Sequence, residues 1–113
     1  MFRKQFLQNL IWLHLKESYC VLQIINEVAR TLGVSPQDIK SSKRSASISN
    51  ARQISMYIVR EITQLPLVTI GDHFGGRDHS TIVYALQQVE KNLSKDSKLK
   101  AMVEDITKNI RDR

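Results

Sequence analysis

Five consecutive side chains, Arg77-Asp78-His79-Ser80-Thr81, follow a Gly75-Gly76 pair and concentrate chemical capacity in one short stretch of this 113-residue chain. Together they can donate hydrogen bonds, accept them and present a methyl group, which are the capacities that read base edges in a DNA groove. Asp78, His79 and Ser80 also contain the letters of a hydrolase triad. Consecutive residues on a helix point about 100° apart, so the histidine cannot stand between nucleophile and orienter. The two glycines could open a phosphate-cradling nest, yet no lysine follows at the required position and no strand precedes. His14 and His73 have no partners at metal-ligand spacing. The sequence therefore predicts a binding protein, with no catalytic residue, no metal and no cofactor held by this chain.

The distribution of charge agrees. The formal net charge is +6, from 17 Lys and Arg against 11 Asp and Glu. Residues 39 to 60 hold Lys40, Lys43, Arg44, Arg52 and Arg60 with no carboxylate, whereas residues 61 to 113 carry eight charges of each sign. An excess confined to one segment points to an anionic partner, nucleic acid first and a membrane surface second. At 42% hydrophobic and 25% charged, the composition is that of one soluble globular domain. Apolar runs reach five residues at most, so no membrane span is expected, and no small-residue cleavage site follows the opening cations. Cys20, the single cysteine, suits a reducing cytoplasm and is expected to be a buried, inert thiol.

The elements that must position these residues all read as helices, because spacings of three and four recur and alternation is scarce. Residues 19 to 32 align Val21, Ile25, Val28 and Leu32, with Gly33 as the stop. Ser35-Pro36 looks like a cap with proline at the first helical position. The serine-rich stretch Ser41 to Asn50 reads as a loop. A helix over about Ala51 to Leu65 carries Ile54, Tyr57, Ile58, Ile62 and Leu65 on one face. Arg60 and Gln64 fall within about 20° of Gln53 on the other. Pro66 interrupts, residues 67 to 74 make a short helix, and Asp78 caps a helix of core stripe Ile82, Leu86, Val89 and Leu93. A last helix, about Lys98 to Arg111, aligns Leu99, Met102, Val103, Ile106 and Ile110. Phe2 to Leu15 is helical by composition but apolar nearly all round, so it either packs into the core or meets a partner. Two short helices joined by Gly75-Gly76-Arg77 describe a helix-turn-helix, whose second helix enters the major groove by its first turn.

The run Ile70-Gly71-Asp72-His73-Phe74-Gly75-Gly76-Arg77-Asp78-His79-Ser80-Thr81-Ile82-Val83 resembles the signature of the C-terminal DNA-binding domain of the bacterial replication initiator DnaA. Ser42-Lys43-Arg44-Ser45 and Ala51-Arg52-Gln53-Ile54 match that family's basic loop and following helix, and the resemblance covers about residues 19 to 110. It implies an all-α, Trp-repressor-like helix-turn-helix bundle over residues 19–113, with residues 1–18 as a helical extension or linker. It further implies a cytoplasmic, nucleoid-associated protein that binds double-stranded DNA at DnaA boxes in replication initiation. On this reading Arg44 enters the minor groove and Arg60 contacts guanine. Asp78, His79 and Ser80 touch base edges, and Leu67 and Val68 lie against thymine methyls. Lys43, Arg52, Gln53, Thr63, Gln64, Arg77 and Thr81 hold phosphates and fix register.

The sequence also departs from the family. Val68 stands where many members have proline, and Ala46, Asn50 and Ala51 thin a loop that is often more basic, which lowers affinity more than specificity. No Gly-x-x-x-x-Gly-Lys-Ser/Thr loop is present, so ATP would belong to an ATPase module outside this sequence. Residues 1 to 18 match no part of the family. They leave open a stand-alone regulator or a protein-interaction module, with a protein partner held through that segment.

Overall fold

The computed structural model describes the backbone of residues 2–112 and the side chains of residues 15–112. Six helices occupy it: α1 (Phe2–Leu32), α2 (Pro36–Lys40), α3 (Ala46–Thr63), α4 (Leu67–His73), α5 (His79–Leu93) and α6 (Ser97–Arg111), with no strand among the described residues. The fold is all-α, as the periodicity requires.

The first helix is one element of 31 residues where the sequence suggests two. Nothing between Leu15 and Cys20 breaks a helix, so the change from all-round apolar to amphipathic composition is a change of surroundings, not of backbone. At about 1.5 Å per residue, this helix accounts for most of the molecule's 53 Å long axis. Whether Phe2 to His14 bury their apolar side chains lies outside the described residues; Leu15 is exposed. Past it, Val21, Ile24, Ile25, Val28 and Ala29 enter the core, and the helix ends where Val34 N–H reaches back to the Ala29 carbonyl at 3.1 Å.

The centre is α3, which touches all five other helices and buries Ala51, Ile54, Met56, Ile58 and Val59. Its buried Ser55 hydroxyl is satisfied by the Ala51 carbonyl at 2.8 Å. The helix begins five residues before the expected Ala51. Serine is tolerated in a first turn, and residues 41 to 50 hold no Gly or Pro to hold them out of a helix. The loop is thus only residues 41–45. At the other end α3 stops at Thr63, two residues short of Leu65. Gln64 turns left-handed at φ 56°, and Leu65 precedes a proline, which disfavours helical backbone.

Proline opens α2 as expected, although Ser35 makes no side-chain cap bond. By contrast Asp78 and Asp96 cap α5 and α6 through their carboxylates. Cys20 is half-buried, and burial pushes its thiol pKa up, with the Lys16 charge opposing; both its setting and its shift suit an unreactive thiol. No described helix is long and apolar enough to cross a membrane.

Candidate nucleic-acid interface

The helix-turn-helix corner is assembled around one carbonyl. Gly71, near the end of α4, accepts hydrogen bonds from the backbone N–H groups of Phe74, Gly76 and Arg77 at 3.0–3.1 Å. A Cβ on Gly71 would run into the Arg77 carbonyl oxygen, so only glycine lets the chain double back this tightly. Phe74 is fully buried beneath the corner. Gly75, at φ 84°, passes so close to α2 that a Cβ would stand 2.7 Å from the Lys40 carbonyl oxygen. The turn therefore lies directly against the root of the basic loop.

From this corner α5 starts outward. Asp78 accepts the Thr81 backbone N–H at 2.9 Å. Hydrogen bonding from Thr81 holds the Asp78 carboxyl below its ordinary pKa, with a smaller contribution from His79. His79, Ser80 and Thr81 are all exposed. Helical angle alone sets His79 on the Leu86 side, toward the core; the structure exposes it because the first turn of α5 projects beyond the packed layer. Tyr84, one turn on from Ser80, is also exposed and was given no role by the sequence, where it reads as one aromatic among apolar neighbours. At the start of α4, Val68 is 62% exposed while Leu67 is half-buried against the core.

The basic side is built from arginines that face both ways. Arg52 is only 6% exposed. It donates from Nε to the Ile39 carbonyl at 2.7 Å and from Nη2 to the Asp38 carbonyl at 3.0 Å, which satisfies the C-terminal end of α2. Arg77 donates from Nη2 to the Ser41 carbonyl at 2.7 Å and from Nη1 to the Phe74 carbonyl. Lys43 is paired with Asp38 at 2.9 Å, whereas Arg44 next to it is exposed on the irregular loop. Arg44, Arg52, Arg77, Lys40 and Thr81 line one open depression of about 450 Å³ that no carboxylate lines. Burial first, and then the charge of Arg77, depresses the Arg52 guanidinium pKa. Two half-committed guanidinium groups in a carboxylate-free hollow favour an anion.

Of the remaining predicted residues, Arg60, Thr63 and Gln64 gather at the corner between α3 and α4, whereas Gln53 lies in the second turn of α3. Arg60 is half-buried and donates from Nη1 to the Leu65 carbonyl. Thr63 Oγ1 donates to the Val59 carbonyl at 2.6 Å and accepts the Leu65 N–H at 3.3 Å. Gln53 is half-buried and Gln64 is exposed. Sequence reasoning missed the parts that Gly71, Arg52 and Arg77 play in building the site. A clash across six residues, and carbonyls 13 and 36 residues away, leave no local periodic signal. Among the described residues no group of His, Cys, Asp or Glu is arranged to hold a metal.

The model of the bacterial DnaA protein helix-turn-helix family matches residues 21–89. The chain belongs to this DnaA C-terminal family. A chromosomal replication initiator protein DnaA from Thermodesulfovibrio yellowstonii is 46% identical over 83 residues, covering 74% of this chain and 19% of that relative. A solved DNA replication initiation factor superposes with TM-score 0.83 at 32% identity, covering 93% of this chain and 32% of that one. A replication initiator DnaA bound to AMPPCP and single-stranded DNA gives TM-score 0.78 at 30% identity, covering 94% and 32%. The chain thus spans about a fifth to a third of the length of these relatives. Coverage of 93% cannot be reached from residues 21–89 by adding one flank alone, so the likeness takes in both α6 and part of α1 ahead of residue 19. The sequence by itself found no DnaA counterpart for that leading segment.

Proposed function

We propose that this DnaA-family domain binds double-stranded DNA at DnaA-box-like sites, as one step of replication initiation at the origin. The observation that carries this is the basic hollow holding Arg52 and Arg77 directly beside the outward-facing first turn of α5. A phosphate in the hollow would bring the base-reading side chains Asp78, His79 and Ser80 to the major groove. Arg44, exposed one residue beyond the anchored Lys43, is free to enter an adjacent minor groove. Arg60 spends Nη1 on Leu65 and keeps its other edge for guanine, with Leu67 and Val68 next to it for thymine methyls. Lys43, Gln53, Thr63, Gln64 and Thr81 join Arg52 and Arg77 on the phosphates. The domain acts by binding and not by catalysis, in the bacterial cytoplasm at the nucleoid.

The test is fluorescence anisotropy on a duplex carrying a DnaA-type box against a scrambled duplex, at about 50 and 200 mM salt. Clear preference for the box, with a salt slope worth several phosphates, is the expected result. Equal binding to both duplexes would leave a non-specific basic module. Binding to neither would redirect attention to the leading segment of α1 and a protein partner.

A further inference from the structure

Arg77 is more firmly held than a phosphate-gripping arginine needs to be. Its backbone N–H is fixed to Gly71 O at 3.1 Å inside the turn. Its side chain then spans from the turn to a different element, with one Nη on the Phe74 carbonyl and the other on the Ser41 carbonyl. Ser41 is the residue that leaves α2 for the basic loop, and its hydroxyl is itself tied to the Asp38 carbonyl at 2.7 Å. Gly75 packs its bare Cα against the Lys40 carbonyl on the same junction. Beyond Ser41 the path 42–45 is irregular and exposed, and it carries Arg44.

We propose that Arg77 is a positioning residue for sequence reading, a strut that locks the root of the basic loop to the helix-turn-helix corner. Arg44 and the first turn of α5 then meet DNA at a fixed separation. This inference rests on the DNA-binding reading above and goes beyond it, because it gives Arg77 a role exerted through Arg44. A guanidinium suits the task because its planar fork offers donors along two edges. A lysine keeps the charge but presents one ammonium that cannot span both carbonyls. Without the strut, the loop would sample many directions, and the entry of Arg44 into its groove would lose its pre-organisation.

A double-mutant cycle with Arg44→Ala and Arg77→Lys tests this, with box and scrambled duplexes as ligands. Arg44→Ala alone should weaken box binding roughly tenfold or more, the size expected of a base-reading arginine. Arg77→Lys should produce a comparable loss on the box, with little loss on scrambled duplex, and the double variant should be no weaker than either single one. Losses that multiply would overturn the proposal, since they would mean that Arg77 acts independently of Arg44. A second measurement needs no DNA. Backbone relaxation of residues 42–45 should show increased motion in Arg77→Lys while α6 is unchanged, and an unchanged loop would overturn the proposal. If that variant fails to fold, the wild-type Arg77 guanidinium decides: hindered rotation with separate Nη signals supports the strut, and free rotation refutes it. Should the wild type prefer no box at all, the functional reading fails, yet the two DNA-free measurements still judge the strut.

Discussion

Gly71 and Arg77 meet across the helix-turn-helix corner with no room for a methyl group between them: the Gly71 carbonyl takes the Arg77 N–H at 3.1 Å, and the Gly71 Cα faces the Arg77 carbonyl. The obstacle is backbone, which cannot swing aside as a flexible side chain would. Gly71→Ala should therefore open the corner and destabilise the fold by about 1–3 kcal/mol or more, the scale of overpacking a close contact. Denaturant unfolding checks it, and a stability equal to wild type would show that the turn can shift at no cost. Gly71 itself is not left-handed, so the expected loss comes from the clash and not from backbone strain.

That corner also marks the limit of what the sequence discloses. The helices were legible because their apolar stripes are local, and Asp78 and Gly75 were legible because caps and turns are local. The single helix α1 was not, since composition changes at residue 18 while the backbone does not. Nor was the inward side of Arg52. Helical angle places it one residue from the polar Gln53, but its acceptors, the Asp38 and Ile39 carbonyls, come from an element that only the tertiary fold brings near.

Arg52→Ala should have two separable effects. Removing the side chain leaves the Ile39 carbonyl without its partner in a buried place, which costs about 1–3 kcal/mol of stability, whereas the Asp38 carbonyl keeps its bonds from the Ser41 hydroxyl and N–H. Well below the lowered melting temperature, DNA affinity should fall by the same factor on box and scrambled duplexes, because phosphates carry no sequence. A loss confined to the box would remove Arg52 from the phosphate set.

Asp78 supplies a pH signature. Its folded pKa lies below the usual aspartate value because Thr81 hydrogen-bonds the carboxylate. The stability that this linkage contributes is fully present above the unfolded pKa of about 3.9 and is lost as the pH falls through the lower folded value. Asp78→Asn keeps a cap at the start of α5 and removes the titration. Melting temperatures at about pH 3 and pH 6 should therefore separate the two proteins less at the acid end. A separation that widens on acidification would contradict the assigned direction.

The base-reading part of the interface is open to a test by contrast. Arg44 makes no bond within the protein that would hold it inward, and it stands exposed beside Lys43, which is tethered to Asp38. Arg44→Ala should then leave stability within about 0.5 kcal/mol of wild type, as for an uninvolved surface residue. On a box duplex it should cost about 1–3 kcal/mol, and on random duplex little beyond one phosphate-scale charge. Replacing A·T by I·C pairs on the minor-groove side sharpens the experiment, since that exchange alters the major groove and largely preserves minor-groove chemistry. If Arg44 reads the minor groove, its contribution survives the exchange. If its contribution disappears with the major-groove pattern, Arg44 reaches the DNA from the other side, and the loop direction inferred from Ser41 to Ser45 is wrong.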